Sequence, residues 1–176
     1  MPVALTPKIS LRLMTAADLP LALAWRNHPE IRRHMYSQAE ISPAEHAEWF
    51  KNTSANPSRV LLIFEVNDTP IGYANFTLHE GREAGWGFYL APDAPKGIGR
   101  LLGEAITDYA FSVLDLERIW GEVLENNTSS QRFHLRHGFE LETVFPEKST
   151  ATQNLSNVHK YVLTRNAWQA HKGKSQ

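Results

Sequence analysis

The chain has 176 residues, enough for one domain and short for two. Its 18 Lys and Arg against 19 Asp and Glu leave a net charge of −1, without the basic excess of a dedicated nucleic-acid binder. It has no cysteine, which removes disulfides, thiol nucleophiles and zinc–thiolate sites.

At 42% hydrophobic residues the chain can build an ordinary core. No apolar run approaches the ~18–20 residues of a membrane helix. The opening "MPVALTPKISLRLM" lacks a charged stretch followed by a long apolar one. The expectation is a soluble, cytoplasmic protein with no membrane partner, one domain over residues 1–168 and a solvated tail over 169–176.

The first predicted strand is Ser10 to Met14. A helix follows from Thr15 or Asp18, with Pro20 in its first turn. "NHPEI" should break it, because the residue before Pro29 disfavours helix. Ser42, Pro43 and Glu45 then give an N-cap, a proline at the first helical position and a capping box, for a helix to about Lys51. Val60 to Val66 reads as a buried strand, with "NDTP" as its hairpin turn and Ile71 to Leu78 as partner. Ala84 to Leu90 is a further strand, with Gly85 and Gly87 alternating against Trp86 and Phe88. Glycines so placed often mark close approach by a ligand.

Ile98, Leu101, Leu102, Ala105, Ile106, Tyr109 and Val113 keep the spacing of an amphipathic helix. Arg118 to Leu124 is a strand. A shorter helix runs to about His137 and stops at Gly138, and a strand starts at Phe139. "PEKSTATQNLSN" reads as a polar loop. Val158 to Leu163 is a last strand, and Trp168 marks a short final helix. The order describes a single α+β domain around a mixed sheet.

The segment "GWGFYLAPDAPKGIGRLLGEAI" puts a Gly-bearing turn between a strand and the best helix. A helix N-terminus offers unpaired N–H groups and partial positive charge. Gly97 and Gly99 allow a tight turn and clear the approach, while Lys96 and Arg100 add charge. This is a phosphate cradle, though neither a Walker motif nor the dinucleotide fingerprint, which would need a glycine at Leu102.

A second segment, "NTSSQRFHLRHGF", follows one strand later. Together the two resemble the GNAT acetyltransferase superfamily. That family pairs a (Q/R)-x-x-G-x-(G/A) loop with a later N-x-x-(S/A)-x-x-L-Y-x-x-x-G-F segment. Ala94 to Gly99 matches the first, and Asn127, Ser130, Phe133, Gly138 and Phe139 match the second. Ala94 replaces the family's Gln or Arg, and His134 stands where many members carry Tyr.

The resemblance implies a mixed, mostly antiparallel sheet of about seven strands, flanked by helices, with a V-shaped splay holding coenzyme A. It implies acetyl-coenzyme A as cosubstrate and no metal. The pyrophosphate would rest on the loop and helix start, Lys96, Gly97, Ile98, Gly99, Arg100 and Leu101. The pantetheine arm would pass Leu90 and reach Asn127 and Ser130.

Acetyl transfer to an amine needs a neutral nucleophile, donors for the carbonyl oxygen and a departing thiolate. His134 fits a general acid by family position and chemistry. The base is less legible: Glu83 just before its strand is the candidate carried, with Glu65, His79 and Glu80 as others.

The segment Trp25 to Phe50 is rich in Arg, His and aromatics. Some of these aromatics must pack the helices on the sheet. "WRN", "HMY" and "EHAEWF", with "GFY" and the later "FHLRHGF", are similar to a narrower branch. It comprises the UDP-4-amino-4,6-dideoxy-N-acetyl-β-L-altrosamine N-acetyltransferases of pseudaminic acid biosynthesis, which serve flagellin glycosylation. The implied partner is a small-molecule nucleotide sugar. Arg26, Arg33 and His46 would meet its phosphates, and Met35, Tyr36 or Trp49 its uracil or sugar. A homodimer is a further expectation. Two rivals stand beside this reading: acetylation of a protein N-terminal or lysine amine, and a non-catalytic acyl-CoA-binding module.

Overall fold

A computed structural model of the chain describes residues 5–148 and 155–174. Seven strands are β1 (Ile9–Leu13), β2 (Arg59–Val66), β3 (Thr69–His79), β4 (Glu83–Leu90), β5 (Arg118–Leu124), β6 (Glu140–Lys148) and β7 (Leu155–Thr164). The helices are α1 (Leu19–Asn27), α2 (Pro29–Arg32), α3 (Pro43–Ser54), α4 (Ile98–Asp108), α5 (Thr128–Arg136) and α6 (Arg165–Lys174). The sheet order is β1-β2-β3-β4-β5-β7-β6.

Every neighbouring pair is antiparallel except β4 and β5. A parallel pair needs a long crossover, and α4 supplies it. That pair holds only from Glu83↔Arg118 to Trp86↔Gly121. Beyond it, Gly87 to Leu90 stays with β3 and Glu122 to Leu124 stays with β7. The two strands therefore part in a V, as the resemblance implied.

Local signals act as the sequence suggests. Asn67 and Asp68 both take positive φ, 52° and 61°, in the two-residue turn between β2 and β3. Ser42 and Glu45 exchange both bonds of the capping box that starts α3, at 3.2 and 2.7 Å. One sheet face packs Leu62, Phe64, Phe76, Trp86 and Ile119 against the stripe Ile98, Leu102 and Ile106 of α4. The opposite face packs Leu61, Ile63 and Tyr73 under α1 and α3, against Met14, Ala22 and Trp49.

Four expectations change. His28 adopts extended backbone and ends α1, but Pro29 at once starts the short α2. The α4 stripe does not include Val113: the last turn widens to a π turn over Tyr109–Val113, leaving Val113 exposed. Much of the expected polar loop is strand. Pro146 pairs with Asn157 and Glu147 with Ser156, in a ribbon whose exposure removes the apolar alternation a reader looks for; residues 149–154 lie outside the described residues. The expected tail is largely helical too, because α6 continues to Lys174 and Lys172 pairs with Asp108 at 2.7 Å.

Candidate active site

The α4 N-terminus opens on the cleft. Gly97 takes φ 87°, a left-handed conformation that favours glycine. No side chain caps the helix. The Ile98 amide turns to the Pro95 carbonyl at 3.3 Å, which leaves the Gly99 and Arg100 amides as the first helical orphans. Leu90, Gly97, Gly99 and Arg100 line the cleft, whereas Lys96, Ile98 and Leu101 do not. Ile98 and Leu101 pack on the core, so any part they take in binding is through the backbone. Arg100 is paired to Glu104 at 2.8 Å.

Asn127 caps α5. Its Oδ1 accepts from the Ser130 amide at 3.2 Å, leaving its NH2 to donate. From these two helix starts the cleft runs through the V to α1, α2 and α3, with a volume of about 1410 Å³. Asn127 and Ser130 line it, with His134 one turn further on.

His134 is not a surface residue: it is 2% exposed. Its ring lies between Trp86, Phe139 and Tyr161. Burial, reinforced by charge at His137 and only partly offset by the Ser130 bond, pushes its pKa down to about 4. Nδ1 lies 2.8 Å from the Ser130 carbonyl, so Nδ1 carries the hydrogen and Nε2 a lone pair. Nε2 is buried without a partner, as is Trp86 Nε1, and both atoms crowd the space a Cβ at Gly121 would fill. In this geometry the resting ring is neutral and its one N–H is committed to Ser130, so the expected general-acid role would need a proton on Nε2.

Glu83, the expected base, stands elsewhere. It is absent from the cleft wall and pairs with Arg118 at 3.5 Å. Glu65 is held by Arg12 at 2.7 Å, and Glu80 sits in an exposed turn. His79 does line the cleft, its ring 5.1 Å from Trp120.

All six expected acceptor residues, Arg26, Arg33, Met35, Tyr36, His46 and Trp49, line the cleft. Their situations differ. Trp25 is core at 5% exposure. His46 stacks on Trp49 at 5.1 Å, Trp49 meets Tyr73 edge-on, and Tyr73 stacks on Tyr89. Arg33 is at the rim, paired with Glu30 at 3.0 Å. Arg26 donates Nη2 to the Ser37 carbonyl at 3.0 Å, while its Nη1 is buried and unpartnered. Burial lowers the Arg26 pKa from its usual value.

Sequence reasoning missed Arg59, Asn75, Thr77, Trp120 and Glu122, which also line the cleft. The strand pairs Arg59↔Thr77, Thr77↔Gly85 and Gly85↔Trp120 place them on one floor. Alternation within single strands was the available signal; only register assembles it. Gly85 and Gly87 also face this floor. A Cβ at Gly85 would stand 3.2 Å from Trp120 Nε1, and one at Gly87 3.3 Å from Asn75 Nδ2. They clear the acceptor side more than a pantetheine track.

A splayed parallel pair, an uncapped helix start beside it and a floor on the far face make a cleft with room for two substrates, and the family match makes the chain an acetyl-coenzyme A-dependent N-acetyltransferase. The chain belongs to the GNAT acetyltransferase family, whose domain model matches residues 8–140. It is 24% identical over 128 residues, 73% of this chain and 80% of the relative, to acetyltransferase PseH of Campylobacter jejuni subsp. jejuni serotype O:2. Its fold matches the spermidine N-acetyltransferase of Vibrio cholerae, solved with coenzyme A and spermine. The TM-score is 0.84 at 20% identity, covering 92% of this chain and 98% of that one. An aminoglycoside acetyltransferase AAC(6')-Ib, solved with coenzyme A and kanamycin, matches at TM-score 0.78 and 23% identity over 94% and 99%. Among the described residues no group of three or more His, Asp or Glu could hold a metal ion, and no helix is long and apolar enough to cross a membrane.

Proposed function

We propose that the acceptor is the 4-amino group of a UDP-linked 4-amino-4,6-dideoxy sugar, acetylated in the cytoplasm on the way to pseudaminic acid and flagellin glycosylation. The observation that carries this reading is the charge of the cleft. Its wall holds six arginines against two glutamates. Arg26 Nη1 and Arg59 Nε are buried without partners. A guanidinium N–H buried without an acceptor is costly, and a diphosphate would satisfy it with charge-assisted bonds. A polycation such as spermine or kanamycin would meet repulsion there. The sequence similarity to PseH supports the same choice.

In this reading acetyl-coenzyme A lays its pyrophosphate on the Gly99 and Arg100 amides and passes Leu90 and Asn127. The His46–Trp49–Tyr73 stack, with Met35 and Tyr36, receives the uracil and sugar. The transfer is direct: amine nitrogen attacks the thioester carbonyl, the carbon–sulfur bond breaks, and the thiol leaves. Edge strand β6, with Leu141 and Val144 exposed, is the surface we assign to the expected homodimer, which light scattering would read. The deciding assay sets the nucleotide amino sugar against peptide N-termini and spermidine at equal concentration. Preferential acetylation of the sugar is expected; faster acetylation of a peptide overturns the assignment.

A further inference from the structure

We propose that the indole N–H of Trp86 is a catalytic donor, which hydrogen-bonds the sulfur of the departing thiolate. This rests on transfer from a thioester and not on which amine receives the acetyl group.

The position comes first. Trp86↔Gly121 is the last register pair before β4 and β5 part, so Trp86 stands at the vertex of the V. Side chains alternate along a strand. Gly85 and Gly87 face the floor, and Trp86 therefore faces the other way, into the cluster that packs on α4. The acceptor amine comes from the floor and the thioester from the α4–α5 side. The bond that breaks keeps its sulfur on the side of Trp86.

The idle hydrogen bond comes second. Trp86 is 7% exposed, and its Nε1 is buried with no partner. An indole nitrogen can only donate. Buried polar groups without partners are few, and each needs a reason. His134 Nε2, an acceptor, is equally idle beside it. The Cβ position of Gly121 is 2.9 Å from Trp86 Nε1 and 2.4 Å from His134 Nε2. Yet the two rings cross at 58° and no bond joins them. A donor is thus left open where the two substrates meet.

The rigidity comes third. Trp86 stacks on Phe88 at 4.8 Å and 10°, with Phe139 at 6.0 Å. A donor fixed by packing needs no reorganisation when charge develops in front of it. Its neighbours on this face of the cleft offer no other side-chain N–H. Phe88, Gly121 and Phe133 have none, and that of His134 is held by Ser130.

The chemistry asks for no more than this. A thiol of pKa ~8.5 leaves as a weak base, so a hydrogen bond can stabilise it without a proton from the enzyme. The carbon–nitrogen bond forms and the carbon–sulfur bond breaks, with the electron pair leaving on sulfur. The indole keeps its hydrogen throughout. The surplus proton of the nitrogen goes to solvent, and solvent returns one to the thiolate. His134 then has no proton to supply, in keeping with its lone pair.

The test is Trp86→Phe, which removes the N–H and keeps an aromatic ring. It is assayed on whichever amine of a panel (nucleotide amino sugar, peptide, spermidine) the wild type acetylates fastest. That ranking judges the acceptor class, and the variant's loss on the leading amine judges Trp86. The expected result is a fall in kcat of about 10–100-fold, the range of a lost hydrogen bond to a charged group. Acetyl-coenzyme A affinity by calorimetry should change little, which also shows that the variant is folded. A second readout needs no turnover. The thiolate of bound coenzyme A is followed by its ultraviolet absorbance as the complex is titrated. A hydrogen bond to the charged form lowers a pKa, so the bound thiol should titrate about one unit higher in Trp86→Phe than in the wild type. A merely structural role would slow the reaction without moving that pKa. Should the smaller ring disturb folding, replacement of Trp86 by benzothienylalanine keeps the shape of the indole with sulfur in place of N–H. It should show the same two changes. A wild-type kcat in the folded variant, or a bound-thiol pKa that does not move, would overturn the proposal.

Discussion

The imidazole Nδ1 of His134 donates to the carbonyl oxygen of Ser130 at 2.8 Å, one helical turn back. This bond fixes the tautomer. With the hydrogen on Nδ1, the nitrogen near the vertex is Nε2, and it carries a lone pair. To act as an acid the ring must first be protonated in a site that pushes its pKa down to about 4. At pH 7 about one ring in a thousand is charged, an offset of about 4 kcal/mol. His134→Phe should therefore keep kcat within about tenfold. A loss of ~10²–10⁴-fold, the usual cost of a missing general acid, would restore that role.

The same burial predicts how stability follows pH. The unfolded histidine titrates near ~6.5 and the folded one at about 4. Between these values the unfolded chain binds more protons. The neutral ring's contribution is complete above ~6.5 and is lost as pH falls toward 4, by about 3 kcal/mol. Denaturant midpoints of the wild type should fall over this range more steeply than those of His134→Phe. Equal slopes would show that His134 is already protonated or exposed in the folded protein.

At the cofactor loop the two glycines should separate. Gly97 needs its positive φ, so Gly97→Ala costs about 1–2 kcal/mol of backbone strain although a Cβ there meets nothing within 4 Å. A Cβ at Gly99 would stand 3.8 Å from Phe133, an ordinary contact, so Gly99→Ala should fold normally. Gly99→Trp should put a ring over the orphan amides. Calorimetry should show loss of acetyl-coenzyme A binding in that variant with its circular dichroism unchanged.

Much of this is legible in the sequence. The capping box at Ser42, the turn at Asn67 and Asp68 and the α4 stripe each act within a few residues, so their signals are local. The cofactor loop was legible for the same reason, as a strand, two glycines and a helix start. The floor was not. Arg59, Thr77, Gly85 and Trp120 come from four strands and meet only through register. His134 was found by motif, but its burial was not legible, because α5 is polar in composition and the rings that bury it come mainly from β4, β7 and the α5–β6 turn. The β6–β7 ribbon was read as loop because a strand exposed on both faces loses its alternation.

The vertex itself should be intolerant of added volume. A Cβ at Gly121 would overlap His134 Nε2 and approach Trp86 Nε1, and both rings are held by packing. Gly121→Ala should lower stability by about 1–3 kcal/mol, the usual cost of overpacking. Thermal unfolding would measure this, and kcat should fall with it because the displaced rings line the cleft. An unchanged melting temperature would mean that the rings have room to move.

Arg26 offers the sharpest trade between stability and function. Its Nη1 is buried with no partner, and no ion pair neutralises the guanidinium among the described residues. Replacing a half-buried cation that has no counter-ion by an apolar group of similar length should be neutral or stabilising. Arg26→Met should thus melt no lower than the wild type when no ligand is present. The acceptor phosphates would lose a charge-assisted bond of about 1.5–3 kcal/mol, so KM for the nucleotide sugar should rise about 10–150-fold. KM for acetyl-coenzyme A should hardly move, since Arg26 lies with Tyr89 and His46 on the acceptor side. UDP alone gives the cleanest readout: it should raise the melting temperature of the wild type and leave that of Arg26→Met unchanged. A variant less stable than the wild type, or equally stabilised by UDP, would make Arg26 a structural strut of the Ser37 turn.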